Sequence, residues 1–435
     1  MSKRRRTRRP QGHPAKTARG RARDGARRGA RLAVGPEDLA RSIMREAREL
    51  TGPLDAELWG SSMLGVFWRA REALSLDEVG SDPAVMFGVP LAEAMGQTDG
   101  AGARVALAVI ETMDDDELGL RAGEIRASLS EDLGEALPGW VAELGEAEVT
   151  DAAVMREDVF DDACTVFLEA RHPNGETHAV GVLIDNNLGG MAKDILLADS
   201  IDQISEIVRE NPQPGGDVKV DRIVPGVAAG RIHAAIELTD MTLDPPVSDD
   251  YSEFRALALR RADETPGQLV PAERSEIPSA ARDRLMDEFL NSPEGKGFAP
   301  DSEEAYVVSL AINFCADYVD GRPLRWSPVV VELFMADWIP RKVLGDAELF
   351  SRLPTALDAW IRFAGRKSRL PEWAIADTRE AIAQWHETMV RESEDPAAAG
   401  PAKQFIAAAQ AAGIDLGDQD ALDTFVAGWN ARSVA

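Results

Sequence analysis

Cys164, His172 and His178 fall within fifteen residues, and a thiol with two imidazoles is the beginning of a zinc ligand set. Their local setting decides whether they can act together. CysThrValPheLeuGluAlaArgHis (164–172) and ThrHisAlaValGlyValLeuIleAsp (177–185) flank Pro-Asn-Gly-Glu, a β-hairpin pattern with Asn174-Gly175 as the two positive-φ residues of a type I′ turn. In that register His172 faces Thr177 and Arg171 faces His178, so His172 shares a face with Cys164 while His178 shares the other with Phe167. One ion cannot collect ligands from both faces of a two-stranded ribbon, no fourth ligand lies nearby, and no CxxC occurs; no metal is expected. Other catalytic signatures are missing too: no Gly-x-Ser-x-Gly elbow, no Walker A sequence and no dinucleotide fingerprint after a strand. Cys315 sits in an apolar helical run that suits a buried thiol. No cofactor is expected, and the reading leans away from an enzyme.

A second group of residues comes after the hairpin. Asp185-Asn186-Asn187-Leu188-Gly189-Gly190-Met191-Ala192-Lys193-Asp194 joins a strand end to an expected helix over about 189–198 through a polar, glycine-rich turn. Free N–H groups at such a helix start hold anions, and a first-turn lysine adds charge. Asp185, Asn187, Gly189, Gly190 and Lys193 are therefore the candidate ligand-binding residues, with Asp185 able to serve as a base. The same residues also suit ordinary turn and capping chemistry.

Charge supplies a third candidate. The chain has 435 residues and a formal charge of −27, but residues 1–31 alone hold 13 bases and one acid, +12, leaving −39 on the rest. Arg4, Arg5, Arg6, Arg8 and Arg9 of this arm could neutralise phosphates in sequence-independent, salt-sensitive nucleic-acid binding. The arm could equally fold back on the body, whose residues 111–162 hold 17 acids and 3 bases. Farther along, 341–370 carries seven bases and three acids among tryptophans, a pattern of anionic-partner surfaces and also of the solvated rim of a core.

These groups need a scaffold. At 44% hydrophobic the body can bury a core, and its length suggests two or three domains. No stretch reaches the ~18 apolar residues of a membrane span, and no apolar segment succeeds the arm as in a secretory signal. Two cysteines in the whole chain fit a reducing cytoplasm.

The organisation expected is a disordered basic arm (1–34), an acidic helical domain (35–146), an α+β module with the hairpin (147–240), and a partly helical connecting segment (241–300). A Trp-rich helical domain (301–394) and a linker with a helical tail (395–435) complete it. Ser327-Pro328 should cap and open one helix, Pro340 should end it and open the next, and Pro354 and Pro371 should punctuate the rest of that domain. The fold class is α+β, mostly helical, with a hairpin-plus-helix module between two helical regions.

ArgHisProAsnGlyGluThrHisAlaValGlyValLeuIleAspAsnAsnLeuGlyGlyMetAlaLysAsp (171–194) resembles the most distinctive part of an uncharacterised family of actinobacterial cytosolic proteins. AspMetThrLeuAspProProValSerAspAsp (240–250), TrpSerProValValValGluLeuPheMetAlaAspTrpIleProArgLysVal (326–343) and the tail at 412–425 are similar to other parts of it. The resemblance implies no reaction and singles out the 185–194 turn without giving any residue a role. The function read from these residues is that of a non-enzymatic cytoplasmic interaction protein with charge-segregated surfaces, and a protein partner. Two alternatives stand beside it: an enzyme or small-anion binder acting at Asp185–Asp194, and a nucleic-acid-associated protein using the arm. No membrane association is expected.

Overall fold

The computed structural model describes residues 35–71, 82–98, 100–129, 136–211, 218–266, 276–414 and 425–426. The basic arm with Arg4, Arg5, Arg6, Arg8 and Arg9, and most of the tail after 414, lie outside the described residues. Among the described residues the protein is a mostly helical α+β structure around one five-stranded antiparallel sheet.

The first layer is helical: α1 (Pro36–Ala47), α2 (Pro53–Ala70), α3 (Val89–Gly96), α4 (Ala101–Met113) and α5 (Glu117–Ser128). The apolar spacing of α1 turns Ala40, Ile43, Met44 and Ala47 onto α3 and α4, around Leu91, Met95, Val105 and Leu107. Next comes the sheet, in spatial order β4-β3-β2-β1-β5, built from β1 (Glu148–Arg156), β2 (Ala163–Arg171), β3 (Thr177–Asp185), β4 (Met191–Ala198) and β5 (Lys219–Arg222). One face of it packs on α7 (Pro225–Asp240) and α8 (Asp249–Asp263), burying Val154, Val166, Leu168, Val180, Val182 and Ile195 against Ile232, Ile236 and Tyr251. The amphipathic α6 (Ile201–Glu210) covers part of the other through Ile201 and Ile204. There Phe167 lies over Gly181, where an added Cβ would come within 2.4 Å of the ring; the glycine makes room for the aromatic side chain on the neighbouring strand.

Within 241–300, α8 belongs to the sheet and α9 (Ser279–Leu290) to the C-terminal lobe. Phe289 of α9 enters a large core with α10 (Glu303–Asp317), α11 (Pro328–Glu332), α12 (Ile339–Lys342), α13 (Ala347–Lys367) and α14 (Glu372–Glu394), in which Trp326 and Trp360 are fully buried. A short α15 (Pro401–Ala411) is tied back to this lobe by Gly400 N–H donating to the Arg341 carbonyl.

The structure departs from several sequence expectations. The segment 191–198 is a strand, not a helix. MetAlaLysAspIleLeuLeuAla has helix-forming residues, but pairing along β3 overrides that weak propensity. The hairpin turn is not type I′ either: Gly175 N–H donates to the His172 carbonyl, Gly175 has φ +88°, and Asn174 keeps negative φ. This is a turn over 172–175 closed by a left-handed glycine, a three-residue loop with a bulge. Ser327 does cap α11, its Oγ accepting from Val330 N–H, but Pro340 does not stop the run. A π-turn over Leu333–Trp338 widens the helix just before the proline, and helix resumes to Lys342. Pro354 lies inside α13.

α2 meets α8 at very close range because of Gly65, where an added Cβ would stand 2.1 Å from the Ser252 carbonyl oxygen. Gly65→Ala is expected to push the helices apart and cost about 1–3 kcal/mol. Urea unfolding of the full chain measures this, and an unchanged midpoint would refute the packing argument.

Candidate functional site

The sheet module meets the C-terminal lobe along a polar seam made by loops. The turn after β3 (186–190) and the loop before β2 (158–162) face residues 320–327. Arg325, almost fully buried, is the hub: its Nη1 donates to Asp162 at 2.7 Å, its Nη2 to the Asn187 side-chain oxygen at 2.9 Å, and its Nε to Asp320 at 2.6 Å. Ser327 Oγ donates to the same Asp162 at 2.8 Å. Burial raises the Asp162 pKa above the usual carboxylate value against the lowering effects of Ser327 and Arg325. Phe160 against Trp373, ring centroids 6.2 Å apart, is an apolar contact beside these pairs.

The five candidate residues of the 185–194 stretch are thus placed. Asp185 Oδ1 accepts from Asn187 N–H at 2.9 Å and Oδ2 from Lys193 Nζ at 3.0 Å. Lys193 is the bulged residue of β4, and Asn187 is held by Arg325. Gly189 and Gly190 take left-handed φ of +76° and +88°, and their N–H groups are spent on the Asn186 and Asp185 carbonyls. With a strand where a helix start was expected, and with these donors consumed inside the turn, the physical basis for an anion cradle at this point is gone. What the turn does instead is stand between two clefts. Gly189 and Gly190 line one of about 510 Å³ against α7, and Asn187 and Leu188 line another of about 280 Å³ against Phe314, Tyr318 and Trp338.

The hairpin histidines also lie elsewhere than expected. Ala170 pairs with His178 and Arg171 with Thr177, one residue away from the expected register, which turns His178 onto the same face as Cys164 and His172. The two imidazoles are buried and stacked, centroids 5.4 Å apart. Arg261 of α8, fully buried, joins them: its Nε donates to His178 Nε2 at 2.9 Å, its Nη1 to Glu264 at 2.6 Å, and its Nη2 to Glu57 of α2. Glu57 also lies 3.5 Å from His172 Nε2. Burial first, and the neighbouring guanidinium second, hold the His172 pKa down at about 4 and that of His178 at about 2, so both rings are neutral near pH 7. Burial raises the Glu264 carboxyl. The space between the imidazoles and the carboxylates is filled by the guanidinium, and among the described residues no group of three or more His, Cys, Asp or Glu is placed to hold a metal ion. Sequence reasoning missed this cluster because Glu57 and Arg261 are 204 positions apart.

The basic stretch 341–370 is largely neutralised in space. Arg341 pairs with Asp337, Arg352 with Glu304, Arg366 with Glu294 and Lys367 with Glu288, the last three carboxylates coming from α10, the turn after α9 and α9. No helix among the described residues is long and apolar enough to cross a membrane. No protein-family model, curated protein or solved structure matches the chain, so the resemblance at 171–194, 240–250 and 326–343 assigns no family.

Proposed function

We propose that this is a non-enzymatic cytoplasmic binding protein that recognises a protein partner at the smaller of the two clefts beside the 186–190 turn. One observation carries the reading. Phe314, Tyr318, Leu333 and Trp338 form an aromatic groove, Tyr318 is 51% exposed, and Lys342 stands 5.8 Å over its ring. Lys342 has no carboxylate within ion-pair distance among the described residues, whereas Arg341 beside it is paired. Tyrosine, tryptophan and arginine dominate the energetic centres of protein interfaces, and a lysine left free at the rim favours an acidic partner. The occupant that fits is an acidic segment with one apolar anchor, since about 280 Å³ admits a single large side chain. The non-enzymatic part of the reading is supported by the two described cysteines, both buried with thiol pKa values raised by burial. Their free state inside the fold supports a reducing compartment.

Selection of a displayed peptide library on the full chain tests the proposal. Enriched peptides are expected to carry Asp or Glu around one aromatic or leucine residue. Their affinity is expected to fall at least tenfold with Tyr318→Ala or Lys342→Glu, about 1.4 kcal/mol. Peptides that bind these variants as tightly as the unaltered chain would refute the site.

A further inference from the structure

The larger cleft beside the same turn points to a different ligand. We infer that it is a binding site for a small organic monocarboxylate with an apolar body, anchored by Arg231. α7 presents Arg231, Ala234, Ala235 and Leu238 to the cleft, positions i, i+3, i+4 and i+7 on one helix face, and Met241 just past its end joins them. The facing wall is Gly189, Gly190 and Ile184, and Asp161, Asp320 and Arg322 close one end. The two alanines and two glycines keep the space open. At about 510 Å³ it is the larger of the two clefts and lies within the range that holds small ligands.

The electrostatics choose the ligand's charge. Arg322 is matched by Asp161 and Asp320, and Asp320 is shared with Arg325. Arg231 is not matched: its Nη2 donates to Cys164 Sγ at 2.9 Å, and no carboxylate lies within ion-pair distance of it among the described residues. Burial keeps that thiol protonated, so it supplies no negative charge. A half-buried guanidinium without a counter-ion is costly, and in a chain of net charge −27 it stands out. A carboxylate matches its fork in geometry as well as charge. Glu237 on the same helix is exposed at the rim and would repel a second negative charge, which favours a monoanion over a phosphate dianion. Leu238 and Met241, the latter 71% exposed, offer the ligand's hydrocarbon portion an apolar wall.

Octanoate is a suitable probe, with octylamine and octyl phosphate as controls, titrated calorimetrically into the full chain. One octanoate per chain is expected, with octyl phosphate at least fivefold weaker and octylamine not binding. Arg231→Gln is expected to weaken octanoate at least tenfold. Ala234→Leu, which fills the cleft without altering charge, should do the same, and it carries the test if Arg231→Gln does not fold. Tyr318→Ala should leave octanoate binding unchanged, which separates this site from the aromatic groove. Absence of binding at millimolar octanoate, equal binding by Ala234→Leu, or equal binding of octylamine would overturn the inference.

Discussion

Replacing Arg261 with methionine is expected to destabilise the protein by about 3–5 kcal/mol, the range for removing one partner of a buried ion pair. The substitution keeps most of the side-chain volume but strands the Glu57 carboxylate, fully buried, and takes a donor from both Glu264 and His178. Urea unfolding of Arg261→Met measures the loss. Adding Glu57→Leu is expected to restore a large part of it, because the second change removes the uncompensated charge; the double-mutant cycle should then give strong coupling between positions in α2 and α8. Additive losses would mean that the two side chains do not act as a pair. The cluster therefore acts as a peg between the N-terminal helical layer and the sheet, whose helices already share apolar contacts through Ala56, Val109, Met113 and Leu257.

The same cluster sets the acid response. His172 and His178 are neutral in the fold at pH values where an unfolded chain, with histidine pKa near 6.5, takes up protons. Their folded pKa values are depressed, so the stability they contribute is complete above about pH 6.5 and is lost as pH falls toward the folded values. For His172, whose folded value is about 4, the loss across that window is on the order of 3 kcal/mol, and His178 extends it to lower pH. Glu264, raised by burial, works in the opposite sense and offsets part of it. Denaturant midpoints measured from pH 7 to pH 4 are expected to fall steeply. In His172→Gln/His178→Gln, whose amides do not titrate, the slope should be markedly shallower; parallel curves for the two proteins would rule the histidines out as its source.

Much of the fold is legible in the residues. The β2–β3 hairpin and the Ser327-Pro328 start of α11 derive from period and capping, because those signals are local. The expectations that failed depended on something local patterns do not carry. The type of hairpin turn fixes the register, and one residue of slip carried His178 to the wrong face. The strand character of 191–198 comes from pairing along β3, not from its own composition. The basic run 341–370 lost most of its significance once Glu288, Glu294 and Glu304, dozens of positions earlier, came to lie against it. For the 185–194 stretch, composition pointed to free N–H donors at a helix start, where the structure has a strand. The turn spends its donors on itself, while Arg231 on α7, which no motif announced, faces the adjoining cleft without a carboxylate in ion-pair distance among the described residues.

The seam at Arg325 gives the molecule a line of parting that differs in kind from the joint at Arg261. Asp161, Asp162 and Asp320 meet Arg322 and Arg325 at loops rather than through a shared core. Salt screens exposed pairs such as Arg322–Asp161 more than it touches either apolar core. The two lobes should thus separate as cooperative units before either one melts, with amide exchange along 186–190 and 320–327 quickening as ionic strength rises. Loosening of this kind would reach the walls of both clefts, which residues 186–190 and 320–322 help to line, while the nearly buried Arg325–Asp162 pair is screened least.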